Sequence, residues 1–312
     1  MVALEAQETD LMKATPDSPG GGVEAFTFKD VTFTVKVADK EGKGKVDKKI
    51  IQGISGRVVS GHVLAILGPS GAGKTTLINV LTLSAFGGEA VGTVKLNEDK
   101  MTQSLFMKSC FVVTQQDNHW PFLTCKQTLA FAAELYLNDT KEKRAERVDD
   151  IIKRTGLESC MDTRVGNEFM QGLSGGQKRR LSIALALIKQ PKLIFLDEPT
   201  SGLDAAAAAG IMEFITELAQ QKGLIIVATI HQPSSKVYSN FDEVMILSKG
   251  REAYSGTAPG AVEYFASIGK PIPDHTNPAE FFLDLVLIAS LLLIRLFLHA
   301  HAHSFTPQIL GG

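Results

Sequence analysis

The sequence predicts an α/β fold, and three observations carry that prediction. A glycine-rich loop, GPSGAGKTT (Gly68–Thr76), lies between an apolar run, VLAIL, and a helix-periodic stretch, TLINVLTL. Two further apolar runs, LIFLD (Leu193–Asp197) and LIIVATIH (Leu224–His231), are bounded by polar residues and separated by a helical stretch, as buried parallel strands are. The front of the chain reads mostly as β, and from about Ser109 to Gln190 the character turns helical.

Composition sets the bounds. A chain of 312 residues makes one large or two small domains, and 44% hydrophobic residues can build a core. Lys+Arg 32 against Asp+Glu 34 leaves a net charge of -2, so no nucleic-acid partner is expected. Cys110, Cys125 and Cys160 are far apart and lack metal-ligand spacing, which reads as reduced thiols of a cytosolic protein. Residues 1–24 are polar and punctuated by Gly and Pro, with SPGGG near their end. They read as a disordered leader, with no signal peptide.

The elements follow in order. AFTFKDVTFTVKV (Ala25–Val37) alternates and is rich in Phe, Thr and Val, so it is a strand. ADKEGKGKVDKK is a charged, glycine-broken loop, GRVVSGHVLAILG is more strand ending at Gly68, and VGTVKLNE is another short strand. CKQTLAFAAELYL sets Leu129, Ala132, Ala133 and Tyr136 at helical spacing. KEKRAERVDDIIKRTGL is a helix ending at Gly156, its alternating charges a solvated face. After QGLSGGQ, the residues Leu181, Ala184, Leu185 and Ile188 again recur at helical spacing. That puts a helix N-terminus, with bare N–H groups suited to an anion, at Ser174-Gly175-Gly176. EVMILSKGREAYSG is a hairpin turning at Lys249-Gly250. LVLIASLLLIRLFL (Leu285–Leu298) carries Arg295 and is short for a spanning helix, which needs ~20 apolar residues. The alternating His299, His301 and His303 belong to a low-complexity tail rather than a metal site.

Two motifs carry chemistry by themselves. Gly68, Pro69, Ser70, Gly71, Ala72, Gly73, Lys74 and Thr75 match the G-x-x-x-x-G-K-[ST] phosphate loop, with Thr76 following, in the required strand-to-helix setting. Backbone N–H groups would cradle the β-phosphate, Lys74 would reach the β/γ-phosphates, and the Thr75 hydroxyl would bind Mg2+. At the end of LIFLD, Asp197 suits the magnesium shell through water, and Glu198 is placed to polarise an attacking water. His231 closes the following strand at the edge where ligands collect, which favours a γ-phosphate contact over a structural histidine. Gln115, in FVVTQQD, means little alone.

In order, these pieces are the phosphate loop, Gln115, LSGGQ (Leu173, Ser174, Gly175, Gly176, Gln177), LIFLDE, SGLD (Ser201–Asp204) and His231. Together they resemble the nucleotide-binding domain of an ATP-binding cassette (ABC) transporter, a P-loop NTPase with an antiparallel β subdomain and an α-helical signature subdomain. The likeness covers residues 25–286, with the helical subdomain at about 110–190, and residues 287–312 form an atypical tail. GPSGAGKTTLINVL, LSGGQKRRLSIALAL, LDEPTSGLDAAAAAGIMEFI, TIHQPSS and YFASIGKPIPDHTNPAEFFLDLV resemble the G subfamily, the White and pleiotropic-drug-resistance type. In that family the cassette precedes the membrane domain.

The resemblance implies two cassettes meeting head to tail with ATP and Mg2+ between them, as a homo- or heterodimer. Ser174 and the N–H groups of Gly175 and Gly176 of one chain would cap the γ-phosphate held by Lys74 of the other. Asp204 would lie at the interface, and Gln115 would sense magnesium and face a transmembrane domain supplied in cis or in trans. The implied activity is ATP hydrolysis driving export of a hydrophobic substrate, at the cytoplasmic face of a membrane. Two departures stand out: Val35 occupies the position where many cassettes stack an aromatic on adenine, and DAAAAAG (Asp204–Gly210) replaces a serine-rich helix start. The sequence is also expected to lack the membrane domain. That leaves room for a cytosolic regulator of a full-length transporter, or for a non-transport ABC ATPase. A plain P-loop kinase would not need LSGGQ or SGLD.

Overall fold

Apolar residues on alternate positions build two sheets in the computed structural model, which describes residues 24–38 and 44–288. β1 (Ala25–Ala38) and β2 (Lys45–Val59) lead into β3 (Val63–Leu67), and α1 (Lys74–Leu81) follows the glycine-rich loop. β4 (Gly88–Leu96), the two-residue β5 (Asp99–Lys100), α2 (Gln103–Ser109) and β6 (Cys110–Val113) come next. Then come α3 (Cys125–Tyr136), α4 (Lys141–Arg154), a 3-10 turn at Glu158–Cys160, and α5 (Gly175–Ile188). β7 (Leu193–Asp197), α6 (Ala205–Lys222) and β8 (Ile225–Ile230) precede the short α7 (Ser235–Tyr238). The strands β9 (Glu243–Ser248) and β10 (Arg251–Thr257) lead to α8 (Ala258–Ser267), and a further helix covers residues 278–288.

The antiparallel sheet has the order β2-β1-β4-β5 and the core sheet β10-β9-β3-β8-β7-β6. In the core sheet every neighbouring pair is parallel except β9 with β10. Its strands send alternate side chains to opposite faces. Leu64, Ile66, Phe195, Val227 and Met245 face α1 and the antiparallel sheet, where Phe26 meets Phe195 edge-on at 5.6 Å. Ala65, Leu67, Ile194, Leu196, Ile226 and Ile246 face the layer of helices that includes α5 and α6. Both faces are covered, which is why these strands read as unbroken apolar runs. The helices α3, α4 and α5 pack on one another beside this layer.

Three expectations need correction. Residues Lys45–Lys49, read as loop, begin β2 and pair with β1. β2 is an edge strand of its sheet, where exposed charged side chains are tolerated and main-chain pairing overrides composition. GRVVSGHVLAILG is not one strand: a turn over Ser60–His62, with Gly61 at φ 85°, hands the chain from one sheet to the other. The stretch after Ser109 opens with β6, the edge strand of the core sheet, before the helices begin. In β1 the alternation slips by one residue at Asp30, φ 54°, a β-bulge that brings Val31 and Phe33 back to the core face.

The other elements match the sequence reading. β7 and β8 are parallel and buried. α4 ends at Arg154 with Gly156 at φ 65° just beyond, and β9 and β10 turn at Lys249-Gly250. The three cysteines are buried and free; burial pushes the Cys110 and Cys125 thiols up to about 12. The leader expected over residues 1–24 lies, apart from Glu24, outside the described residues, and so do residues 289–312 with Arg295, His299, His301 and His303. Among the described residues no helix is long and apolar enough to cross a membrane.

Candidate nucleotide-binding site

The C-terminal ends of β3, β6, β7 and β8 lie along one edge of the core sheet, where open α/β sheets collect their ligands. β3 delivers the loop beginning at Gly68, β6 is followed by Gln115, β7 ends at Asp197 with Glu198 next, and β8 is followed by His231. A cleft of about 490 Å³ is lined by Ser70 to Thr76 together with Ile50, Glu198 and His231. Residues from four separate stretches of sequence therefore meet at one cavity.

The loop is tightly constrained. Gly73 caps α1 at φ 105°, a conformation that side chains other than hydrogen rarely adopt. Lys74 is only 7% exposed, and its Nζ donates to the carbonyls of Gly68 at 2.7 Å and Pro69 at 3.4 Å. Burial lowers its pKa, while the carboxylates of Glu198 and Asp197 push the other way, so a cation and two anions share the site. The hairpin tip braces the loop from behind. Gly250 N–H donates to the Ala72 carbonyl at 2.8 Å, and its own carbonyl accepts from Gln52 N–H at 2.8 Å. A Cβ on Gly250 would come within 1.9 Å of the Ile50 carbonyl oxygen, so the approach requires glycine.

Opposite the loop, one hydroxyl organises both carboxylates. Thr229 Oγ1 donates to Asp197 Oδ1 at 2.6 Å and accepts from Glu198 N–H at 2.9 Å. Glu198 sits at φ 46°, a left-handed conformation unusual outside glycine and found at constrained functional positions. Its Oε2 accepts from Gln115 Nε2 at 2.8 Å, and the same amide lies 3.3 Å from Ser201 Oγ. Thr75, Gln115 and Asp197 offer oxygen donors with a single carboxylate among them. That set suits Mg2+, which keeps positions for phosphate and water. Among the described residues no group of three or more His, Cys, Asp or Glu could hold a metal by itself.

Ser174 and Asp204 stand apart from this cleft. Ser174 is the N-cap of α5 in a capping box: its Oγ accepts from Gln177 N–H at 3.3 Å, and Gln177 Oε1 accepts from Ser174 N–H at 2.9 Å. Leu173 is buried beneath it, and Ser174 and Gly175 are exposed. Asp204 caps α6, accepting from the N–H groups of Ala206 and Ala207 at 3.0 and 2.9 Å. A separate trough of about 440 Å³ runs between the two helices, lined by Ser174, Gly176, Gln177 and Arg180 with Ala207 and Gly210. Val35 lies in β1 and packs against the core, and the apolar wall of the phosphate cleft comes instead from Ile50.

Sequence reasoning missed three residues here: Ile50, Thr229 and Arg179. Thr229 carried a signal, as the one hydroxyl in LIIVATIH. Arg179 carried a fainter one, a charge among the apolar positions of a helix. It is 3% exposed and donates to the carbonyl of Gln115.

Residues 51–201 match a family model described as ABC transporter, and residues 231–290 match one described as ABC-2 type transporter. ABC transporter G family member 1 of Dictyostelium discoideum is 43% identical over 267 residues, covering 84% of this chain and 33% of its own length. ABC transporter G family member 22 of Arabidopsis thaliana is 43% identical over 260 residues, covering 83% and 34%. The chain thus spans about a third of the length of these relatives. Among solved structures, cbiO1 from Clostridium perfringens, part of the ABC transporter complex cbiONQ, superposes with a TM-score of 0.62 at 24% identity. The match covers 91% of this chain and all of that one, and it shows a shared fold. The glycine-rich loop, the paired carboxylates and the helix after LSGGQ thus lie in a chain that carries an ABC transporter domain over residues 51–201 and is similar to ABC transporters of the G family.

Proposed function

We propose that this chain binds Mg-ATP at the Gly68–Thr76 cleft and hydrolyses it in a head-to-tail dimer, powering export through a membrane domain. The carrying observation is the cleft itself, where Lys74, Glu198 and His231 line one cavity. Gly68 to Gly73 wrap the phosphates, and Lys74 turns its ammonium from the Gly68 carbonyl to the γ-phosphate. Thr75 and, through water, Asp197 with Gln115 beside it would hold Mg2+, which would supply charge neutralisation for the phosphates. Glu198 accepts the proton of the attacking water, and His231 bonds a γ-phosphate oxygen. The left-handed backbone at Glu198 and its bond from Gln115 keep that carboxylate aimed into the cleft.

The signature residues Leu173 to Gln177 serve the partner's nucleotide. The exposed start of α5, remote from its own phosphate cleft, supports that division. Asp204 lies at the same interface. The functional unit spans residues 25–286, with its helical part at about 110–190. A groove lined by Phe111, Trp120, Leu123, Phe131, Leu135 and Tyr136 opens near Gln115, with Trp120 52% exposed, and it suits an apolar segment of a membrane domain. The chain then works at the cytoplasmic face of a membrane, in keeping with relatives named as G-family transporters.

The test is the Glu198→Gln variant. ATP binds with wild-type affinity, an ATP-bound dimer accumulates by light scattering, and hydrolysis falls by about 100-fold or more. Hydrolysis at the wild-type rate would remove Glu198 from the role of base. Lys74→Ala serves as the companion: unchanged nucleotide affinity there would remove the phosphate-loop assignment.

A further inference from the structure

The segment that carries Gln115 is fastened to α5 by side chains that neither motif includes. Arg179 donates from Nη1 to the Thr114 carbonyl at 2.9 Å and from Nη2 to the Gln115 carbonyl at 2.6 Å. Its Nη1 also lies 3.2 Å from Asp117 Oδ1. One helical turn on, Ser182 donates its hydroxyl proton to the same Asp117 oxygen at 2.6 Å. That proton being used, the Ser182 oxygen accepts from His119 Nε2–H at 2.9 Å. Arg179 and Ser182 are three positions apart and share one face of α5. Two neighbouring side chains therefore grip a loop that spans Thr114 to His119.

The two ends of this clamp do different work. Gln115 bonds Glu198 in the chain's own phosphate cleft, whereas α5 begins at Ser174, which serves the other nucleotide. The guanidinium is a rigid planar fork, so it holds two carbonyls in a fixed mutual position and transmits a shift of one as a shift of the other. At 3% exposure it has no water to substitute for those bonds. A movement of Gln115 toward or away from magnesium must therefore move Arg179, and with it the first turn of α5.

We infer that Arg179 is a positioning residue that couples nucleotide occupancy at the chain's own cleft, sensed through Gln115, to the placement of Ser174 for the partner's nucleotide. The inference rests on the ATP-binding reading above and deepens it. It assigns the link between the two half-sites of one chain to a single buried side chain, with Asp117 and Ser182 as its supports.

Hydrogen exchange of the 312-residue chain tests this, with and without Mg-ATP, at a dilution where light scattering reports a monomer. In the wild type, Mg-ATP slows exchange at residues 68–78, and it changes exchange at residues 174–179 by about threefold. Arg179→Gln keeps the first response and loses the second. Arg179→Lys, which keeps the charge but reaches only one carbonyl, restores part of it. An Arg179→Gln chain whose α5 response equals wild type overturns the coupling, and so does a wild-type chain that responds at the phosphate loop but not at α5. A wild-type chain with no response at residues 68–78 overturns the ATP-binding reading itself, and the coupling with it. Should Arg179→Gln fail to fold by circular dichroism, Asp117→Asn, which preserves side-chain volume, decides by the same criterion.

Discussion

A hydroxyl inside an aliphatic strand is costly unless it is bonded. Thr229 is fully buried in β8, and its bonds go to the Asp197 carboxylate and the Glu198 amide. It therefore sets the position of the Asp197 carboxylate relative to the Glu198 backbone, the proposed magnesium group and base. Thr229→Val keeps the shape and removes both bonds. The expected result is a fall in kcat of about tenfold with the KM for ATP within about twofold of wild type, because the phosphate loop is untouched. Steady-state kinetics over a range of ATP concentrations reads both values. A rise in KM with kcat preserved would mean that Thr229 supports binding rather than the chemical step.

At the scale of elements, the helix starts carry both structure and function, and one substitution pair separates them. Asp204 accepts two N–H groups at the start of α6. Asp204→Ala loses the cap and costs about 1 kcal/mol, or roughly 2–4 °C in Tm for a chain of this size. Asp204→Asn caps as well as aspartate, so its Tm stays at the wild-type value. A loss of ATPase activity in the Asn variant at unchanged Tm places the carboxylate charge at the dimer interface; full activity in that variant denies it such a role. These same starts were the legible part of the sequence. Ser174 with Gln177, and Asp204 ahead of an alanine run, are local signals, each complete within four residues. The apolar runs of β3, β7 and β8 were legible for a similar reason, since burial on both faces leaves no polar alternation to confuse. What stayed hidden was contact between distant segments. Lys45 to Lys49 looked like loop because an exposed edge strand has no compositional signature, and Arg179 went unread because the carbonyls it holds are more than sixty positions away. The order of strands in the sheet, with β3 lying between β8 and β9, follows from neither period nor composition.

At the scale of the whole molecule, a head-to-tail pairing has a symmetry that can be used as a test. In the proposed dimer each complete site would take its phosphate loop from one chain and its signature helix from the other, so two different defects would complement. Lys74→Ala alone spoils both sites of its dimer through the loop, and Ser174→Arg alone spoils both through the signature. Mixing the two variants in equal amounts creates heterodimers with one intact site. Random pairing then restores about a quarter of wild-type ATPase activity. A mixture no more active than its components would rule out shared sites and favour two self-contained monomers.

The placement of β3 has a further consequence for how the protein is made. β3 carries the strand that leads into the phosphate loop, and all five of its residues are buried. Its partners, β8 and β9, lie roughly 160 and 180 residues later in the chain, a separation that a ribosome covers in about ten to forty seconds. Through that interval the nascent segment VLAIL has both edges open and no sheet to join. The antiparallel sheet of β1, β2 and β4 can form meanwhile, since its strands are near neighbours in sequence. The brace on the glycine-rich loop cannot, because the turn at Gly250 that bonds Ala72 emerges long after the loop itself. The core sheet thus stays half-built until β8 and β9 emerge, and the phosphate loop is braced only when the hairpin of β9 and β10 closes against it.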